Sequence, residues 1–549
     1  MRWRRLLWLL PPVLLGALLR LWNLPAQIVG GDELNAIKAA LQLPLGMVLT
    51  TYQLQDPCLP LAGFYRFLLD RGMGLSELWV RLPVLAFGLI ALVAIPWIAE
   101  RRVGRPAAQA LAWLVALSPL LVLYSRIARP YMPIALLGFA ATAAFEAWWR
   151  TGRAALAAAY VVLAGLCVYF HLGSTPFIVA PFAFALGSLL LDRGSQAQGG
   201  TEARPGFRGL VVVGLATVAA FLTFLIPSWD SLMHLIGDKH NPLEIRPATV
   251  AGILQLETGS SSLLVSTAFW AAALVGLAWL LRSQHPDDRR LALYTLTLAA
   301  GQVVGLLLLS PEMLGHPLVF GRYLIPLLPW VLLWAAVGLS IPWRSGPRAQ
   351  RVAVATGLAA LFLSSPLSSW QFQKGSFAQH NDVLAFFCPP ARIAPEAVPR
   401  FYRQVIAGQK GAAVLEHPWF PWWAYTRAYY LYQEAHGQEV VLSNERSQPG
   451  SARLAFRNMV RPQPAAFLAS RARYLVVHTD LVAEETRVVP HCWQTVERID
   501  PRHKREIQQS GRRMAHRLTR SWGKPDFQEP GLLVWDLDRI RARKLEETR

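Results

Sequence analysis

Apolar runs long enough to cross a bilayer, separated by short Arg-rich connections, recur from residue 6 to residue 367. Nothing else in the chain constrains its fold so tightly. A segment inside a bilayer has no water to satisfy its backbone, so each run must be a helix, roughly 20 residues long. Candidate spans fall at 6–22, 79–99, 107–123, 131–149, 154–170, 176–191, 209–227, 262–281, 290–310, 322–341 and 351–367, about eleven by the length rule. With 54% hydrophobic residues and 21 Trp in 549, the composition excludes an ordinary soluble enzyme. The start, Met1-Arg2-Trp3-Arg4-Arg5, has the charge order of a signal peptide. It lacks an A-x-A cleavage site and more spans follow, so the reading is an uncleaved first helix.

The formal net charge of +20 invites a nucleic-acid reading. Much of the Arg, however, falls in short clusters between apolar runs, which is how membrane topology is written, and nucleic acid is excluded as a partner on that ground. The clusters Arg2/Arg4/Arg5, Arg101/Arg102/Arg105, Arg150/Arg153, Arg193/Arg204/Arg208, Arg282/Arg289/Arg290 and Arg344/Arg348/Arg351 occupy alternate connections. The positive-inside rule places all of them, and the N-terminus, in the cytoplasm. An odd number of spans then leaves the C-terminal region extracytoplasmic. The opposite face carries residues 23–78, the turn Tyr124-Ser125-Arg126-Ile127-Ala128-Arg129-Pro130-Tyr131, the turn His171-Leu172-Gly173-Ser174, a loop at 228–261, and 311–323. Every polar feature with chemical promise lies on that face.

The first outer loop opens on Gly30-Gly31-Asp32-Glu33-Leu34-Asn35. Adjacent carboxylates at a membrane surface are costly unless they have a partner or a function. After them Leu34, Ile37, Leu41, Leu45 and Val48 recur at helical spacing, as in a helix lying in the interface. Asp56-Pro57-Cys58-Leu59-Pro60 breaks it, and a second short helix is expected from Leu61 to Leu69. From about residue 370 the pattern changes. Short β-prone runs at Ala412–Leu415, Val440–Leu442, Tyr474–Val477 and Leu532–Trp535 alternate with helical stretches near 398–408 and 424–436. The division expected is a transmembrane domain over 1–370 and an α/β domain over 371–549, of ordinary domain size. The basic segment Arg502 to Arg520 reads as a solvated helix, and Pro418-Trp419-Phe420-Pro421-Trp422-Trp423 as core or interfacial belt. Cys167 sits in an apolar run as a packing residue. Cys388 and Cys492 are either one disulfide of an extracytoplasmic domain or two unrelated thiols.

In order, several motifs stand out. These are Asp32-Glu33 after span one, Ser76-Glu77-Leu78-Trp79-Val80-Arg81-Leu82-Pro83 before span two, Tyr124 to Tyr131 between spans three and four, Tyr169-Phe170-His171 ending span five, and Gly321-Arg322-Tyr323-Leu324-Ile325-Pro326 entering span ten. Each is weak alone. Together the sequence over about 1–370 resembles the C-type (GT-C) polytopic glycosyltransferases, in particular the bacterial group of protein O-mannosyltransferases and the lipid A aminoarabinose transferase. The fold class this implies is an α-helical polytopic membrane protein with interfacial helices in its first outer loop and an extracytoplasmic C-terminal α/β domain. The activity it implies is inverting transfer of a hexosyl or pentosyl group from a polyprenyl-phosphate carrier to an acceptor lipid, glycan or protein at the outer face of the cytoplasmic membrane. Its partners would be that donor, the acceptor and membrane lipids.

On that resemblance, Asp32 is the base that takes the acceptor proton, because a lipid phosphate is a good leaving group and one base suffices. Glu33 holds the acceptor, holds a metal or supports Asp32; the bland alternative is that the pair only caps the following helix. Arg126, Arg129 and Arg322 are the donor-phosphate ligands, as bidentate forks that keep their charge, against an alternative of snorkelling to lipid phosphates. Lys38 joins that phosphate site or pairs with the acidic residues. Tyr131, Tyr323 and His171 line the substrate path or form an interfacial belt. Asp32, Glu33, Glu77, Glu257 and His171 offer oxygen and nitrogen ligands, but no spacing identifies a metal site, so no cofactor is required and a divalent metal stays unassigned. Two rival readings differ in class: a lipid-glycan transporter or flippase without transferase activity, against which stands the lack of an inverted repeat, and a catalytically silent scaffold.

Overall fold

A computed structural model describes residues 7–26, 29, 33–52, 58–192, 205–239, 245–260, 262–311, 314–345, 348–369, 373–374, 387–388, 393–409, 411–418, 427–438, 440–441, 464–488 and 501–548. It divides into two compact units. The first comprises Met1–Leu24, Asp32–Phe372 and His380–Leu384, and the second Pro25–Gly31, Gln373–Gln379 and Ala385–Arg549.

The first unit is helical. Its helices are α1 (Leu10–Leu21), α2 (Glu33–Gln42), α3 (Leu45–Val48), α4 (Leu59–Asp70), α5 (Glu77–Leu117), α6 (Pro119–Tyr124), α7 (Tyr131–Thr151), α8 (Ala154–Phe170), α9 (Thr175–Asp192), α10 (Phe207–Leu225), α11 (Trp229–Lys239), α12 (Pro247–Thr258), α13 (Leu263–Arg282), α14 (Pro286–Leu309), α15 (Pro317–Leu324), α16 (Leu328–Ser345) and α17 (Arg348–Leu363). Among the described residues six helices are long and apolar enough to cross a membrane, or seven if the pair α15 and α16, bent by 80°, is one span. Three of the expected spans are shorter apolar helices, Leu7–Leu21, Ala154–Phe170 and Val354–Leu363.

Two expected spans run together in α5. Its 41 residues would reach about 60 Å as one straight helix, twice the hydrocarbon thickness. Gly104 divides it, with φ 77° and ψ 168°, a conformation only glycine adopts readily. Helix α7 is the most enclosed span, with 72% of its apolar window buried. Its Thr142 carbonyl accepts from the Tyr294 hydroxyl at 2.6 Å and its Thr142 hydroxyl from Trp330 Nε1 at 3.1 Å, which fixes α7 against α14 and α16. Helices α13 and α16 meet backbone to backbone. A Cβ on Gly276 would lie 1.9 Å from the Trp334 carbonyl oxygen, and one on Gly338 2.1 Å from that of Ala272. Small residues permit such approach where no hydrophobic force drives helices together.

The first loop folds into the short helices α2, α3 and α4, close to the expected stripe. Cys167 is buried, with its thiol 3.5 Å from Ser174 Oγ.

The second unit carries a five-stranded sheet in the order β4-β3-β5-β7-β6, formed by β3 (Val414–His417), β4 (Val440–Val441), β5 (Tyr474–His478), β6 (Phe527–Glu529) and β7 (Leu532–Asp536). A two-stranded ribbon, β1 (Gln373–Lys374) and β2 (Phe387–Cys388), precedes it. Strands β4, β3 and β5 are parallel, while β7 and β6 are antiparallel additions at one side. One face of the sheet (Val414, Tyr474, Val476, Leu532, Val534) packs on Tyr402, on Tyr429 and Tyr432 of α18 (Arg427–His436), and on Leu481 and Val488. The other face (Leu415, Leu475, Val477, Trp535) packs on Phe467, on Met514, Leu518 and Trp522 of the helix Pro501–Trp522, and on Ile540. Burial on both faces explains why these strands read as continuous apolar runs. The basic segment is indeed a helix, held by its apolar stripe and exposing Arg505, Arg512, Arg517 and Arg520. The aromatic run after Pro418 and Cys492 lie outside the described residues, so nothing bears on a Cys388–Cys492 bond.

At the carboxyl ends of β3 and β5 the core turns polar. His478 is sandwiched between Glu416 (Nε2 to Oε2, 2.8 Å) and Glu484 (Nδ1 to Oε2, 2.7 Å), and the Tyr402 and Tyr432 hydroxyls donate to those same carboxylates. Burial alone would lower the imidazolium's pKa, but Glu484 and Glu416 together carry it up to about 10. Burial pushes the neighbouring His417 down to about 3 and His436 to about 4.

Candidate functional site

The site is assembled at one end of the first unit, where α1, α2, α5 and the turn between α6 and α7 converge. Glu33 is the first residue of α2, where a carboxylate favours the helix dipole. Its side chain is fully engaged. Arg81 of α5 donates Nε to Oε1 at 3.0 Å and Nη2 to Oε2 at 2.9 Å, a bidentate pair with the two side chains 0% and 2% exposed. The Ala128 N–H, in the α6–α7 turn, adds a bond to Oε1 at 2.8 Å. One carboxylate thus joins the start of α2, the second turn of α5 and the Arg126–Arg129 turn.

Two further arginines brace this end. Arg20, in the last turn of α1 and fully buried, reaches the carbonyls of Gly16, Val115 and Ala116 and the Ser125 hydroxyl. Arg126 directs Nη1 at the carbonyls of Leu19, Arg20 and Trp22 at 3.2, 2.9 and 2.8 Å, satisfying the open C-terminus of α1. That nitrogen is committed to the scaffold.

Arg129 and Arg322 are arranged differently. Their guanidinium carbons each lie 5.9 Å from the centre of the Tyr131 ring, so two cations flank one aromatic. Tyr131 touches Tyr124 at 4.7 Å and His171 at 5.6 Å between ring centres, and His171 touches Tyr323 at 5.3 Å. His171 Nδ1 accepts from the Gly173 N–H, which in the neutral ring leaves the proton on Nε2. Gly173 is needed here, since a Cβ would lie 2.6 Å from Tyr323. Gln302 of α14 holds the other side, donating to the Tyr323 and Gly173 carbonyls at 2.6 and 3.0 Å.

Five of the residues singled out from sequence, Arg129, Arg322, Tyr131, Tyr323 and His171, therefore form one cluster, and the backbone of Ala128 links it to Glu33. Asp32 and the side chain of Lys38 lie outside the described residues; Asp32 directly precedes the anchored Glu33. Sequence reasoning passed over three residues. Arg81 lay inside a motif already noted but was given no role. Arg20 carried its own signal, a single charge within an apolar span. Gln302, a polar residue inside a span, carried the same one. Among the described residues no group of three or more His, Cys, Asp or Glu is placed to hold a metal.

No family model and no curated protein matches the chain. Solved structures do. One is ArnT from Cupriavidus metallidurans bound to undecaprenyl phosphate, at TM-score 0.53 and 12% identity, over 88% of this chain and 95% of that one. The fold is that of the GT-C glycosyltransferases. The chain is accordingly an α-helical polytopic membrane protein with a small C-terminal sheet domain. Two other similar structures are the apo state of the same ArnT, at TM-score 0.44 and 16% identity over 64% of each chain, and an oligosaccharyltransferase from Archaeoglobus fulgidus in complex with Zn and sulfate, at TM-score 0.49 and 13% identity over 87% of this chain and 68% of that one. In the apo match the chain spans just under two thirds of the ArnT length.

Proposed function

We propose that this protein is an inverting glycosyltransferase that moves a sugar from a polyprenyl-phosphate carrier to a hydroxyl or amine of a lipid, glycan or protein at the outer face of the cytoplasmic membrane. The observation that carries the reading is the pair Arg129 and Arg322 about Tyr131, two cations beside one aromatic at a single end of a bundle with the GT-C fold. A similarly folded ArnT was solved with undecaprenyl phosphate bound, which is the carrier chemistry such a pair suits.

In the reaction the acceptor heteroatom attacks the anomeric carbon while the bond from that carbon to the phosphate oxygen breaks. The electron pair leaves with the lipid phosphate, and the acceptor proton passes to Asp32. Arg129 and Arg322 neutralise the charge growing on the phosphate, and they do so more strongly where water is scarce. Tyr131 sets the spacing of the two arginines, and His171 and Tyr323 back it. Glu33, locked by Arg81 and Ala128, acts by fixing the start of α2. Arg126 serves the scaffold rather than the phosphate. Lys38 remains a candidate second-rank phosphate ligand. On this reading the C-terminal domain is extracytoplasmic.

The test is transfer by purified protein from undecaprenyl-phosphate sugars to a panel of acceptors. Asp32→Asn abolishes product while leaving the fold and carrier binding intact. Full activity in that variant removes the base assignment.

A further inference from the structure

Glu257 is a buried acid with no part in the reaction described above. It is the penultimate residue of α12, 5% exposed, and among the described residues neither of its carboxyl oxygens has a hydrogen-bond partner. Buried polar atoms are rarely left this way, and an exception calls for an explanation. The burial alone, with no neighbouring charge contributing, lifts its pKa to about 8.

The position is fixed from three sides. The Thr249 hydroxyl, at the other end of α12, donates to the Gly315 carbonyl at 2.7 Å. Gly259 turns the chain at φ 75° and sits so close to α6 that a Cβ there would fall 2.3 Å from Pro119. Glu257 itself lies over α15, with Oε1 4.0 Å from where a Cβ on Gly321 would stand. Gly321 precedes Arg322, and α6 ends at Tyr124. The carboxyl is therefore held against α15, which supplies Arg322 and Tyr323, by a helix whose closing turn packs on α6.

We infer that Glu257 is a ligand-binding residue, whose carboxyl hydrogen-bonds a hydroxyl group of the sugar presented at this site, a role that rests on the transferase reading above. The chemistry selects the ligand. A hydroxyl is the better match than an anionic phosphate, which the carboxyl repels once ionised. A hydroxyl is suited, because a carboxyl accepts from it in either protonation state and, while protonated, also donates. The hydroxyl belongs to the sugar of the donor or to the acceptor, and adding each separately tells them apart.

The structural alternative, an acid that merely fills space, makes an opposite prediction about stability. Replacing an unpartnered buried polar group by an apolar one of similar size is neutral or stabilising when nothing in the protein depends on it. A ligand site then shows a protein that is at least as stable and a worse enzyme.

The experiment uses the full-length protein in lipid nanodiscs with isotope-edited infrared difference spectra, read at the C=O stretch of a protonated carboxyl. The ligands are a panel of undecaprenyl-phosphate hexoses and pentoses, bare undecaprenyl phosphate, and the acceptors alone. The wild type shifts this band with a sugar-loaded carrier or with an acceptor, and not with the bare carrier. Glu257→Gln lacks the band change. Glu257→Leu raises the KM for the ligand that moved the band by about tenfold or more, with an unchanged or higher melting temperature. An equal shift with bare carrier overturns the inference, as does a Leu variant that turns over normally or that loses stability and activity together. If the wild type transfers sugar and Glu257 affects neither readout, the sugar contact falls and the transferase reading stands. If the band shifts with a sugar-loaded carrier but no transfer occurs with any donor, the sugar contact stands and the transferase reading falls.

Discussion

Removing one partner of the Glu33–Arg81 pair is the perturbation whose size the structure fixes best. The pair is bidentate, with 3.0 and 2.9 Å bonds and almost no exposure, and a third bond from the Ala128 N–H lands on the same carboxylate. Arg81→Leu leaves a buried carboxylate without its guanidinium partner. Glu33→Leu leaves a buried guanidinium without its carboxylate and the Ala128 N–H unsatisfied. Each costs about 3–5 kcal/mol, the usual penalty of an uncompensated buried charge. The double variant, Glu33→Leu with Arg81→Leu, removes both charges and orphans the Ala128 N–H, about 1–3 kcal/mol. The double variant should thus be more stable than either single variant, with a coupling energy of about 3 kcal/mol or more. Chemical unfolding in a constant detergent, followed by tryptophan emission, measures all four corners. Single variants within about 1 kcal/mol of wild type, or a double variant that shows the sum of both losses, refute the claim that this pair is a buried structural joint. All three variants should also lose transfer, because the joint holds the start of α2 next to Asp32. A double variant with full activity would separate the joint from the chemistry.

Four other outcomes follow. Arg322→Ala should raise the KM for the lipid-phosphate donor far more than that for the acceptor, and Arg322→Lys should rescue little because a point charge lacks the fork; a change confined to acceptor KM would place the phosphate elsewhere. Arg126→Ala should mainly lower the melting temperature, through the open carbonyls of α1, with donor KM changing less than in Arg129→Ala. Gly276→Ala or Gly338→Ala should destabilise the bundle, since neither backbone carbonyl can move away cheaply from the new methyl group; an unchanged melting temperature would contradict the close approach of α13 and α16. The C-terminal domain should be most stable near pH 6.5, the ordinary histidine value. His478 is raised to about 10, so its contribution is complete below 6.5 and is lost as pH climbs through 10, while His417 and His436, lowered to about 3 and 4, contribute above 6.5 and lose that as pH falls. His478→Gln should flatten the alkaline side in pH-resolved hydrogen exchange.

Much of the helical framework was legible because bilayer physics writes it in the sequence. Apolar runs of fixed length mark the spans, and Ala154–Phe170 matches the expected 154–170 to the residue. What the runs did not reveal is continuity. Gly104, the hinge that divides α5, looks in sequence like any glycine in a basic connection. The short helices α1 and α17 show the opposite problem, apolar character without the full length. In the C-terminal domain four strands were readable from β-prone clusters, whereas β6, Phe527-Gln528-Glu529, is too short and too polar to stand out and forms because β7 offers it an edge.

The clustering of Arg129, Arg322, Tyr131, Tyr323 and His171 was legible only as motifs in order along the chain. Arg126, Arg129 and Arg322 look alike in sequence, each beside an aromatic residue at the end of a span. Only three dimensions show that Arg126 directs Nη1 at the carbonyls of α1 while Arg129 and Arg322 lie beside Tyr131. Likewise the two neighbouring carboxylates carry no mark that tells which is paired, and Arg81, 48 residues further on, supplies the answer for Glu33. Glu257 appeared in sequence only as one oxygen ligand among several, because burial without a partner is not a property a sequence displays.

The central claim is that this bundle transfers a sugar from a polyprenyl phosphate. The most direct measurement incubates the purified protein with radiolabelled undecaprenyl-phosphate sugars and membrane-lipid, glycan and peptide acceptors, and resolves the products by mass and by anomeric configuration. The account predicts one labelled product of inverted configuration with the wild type, and none with Asp32→Asn. Product of retained configuration, undiminished product from Asp32→Asn, or carrier translocated across the membrane with its sugar still attached would contradict it.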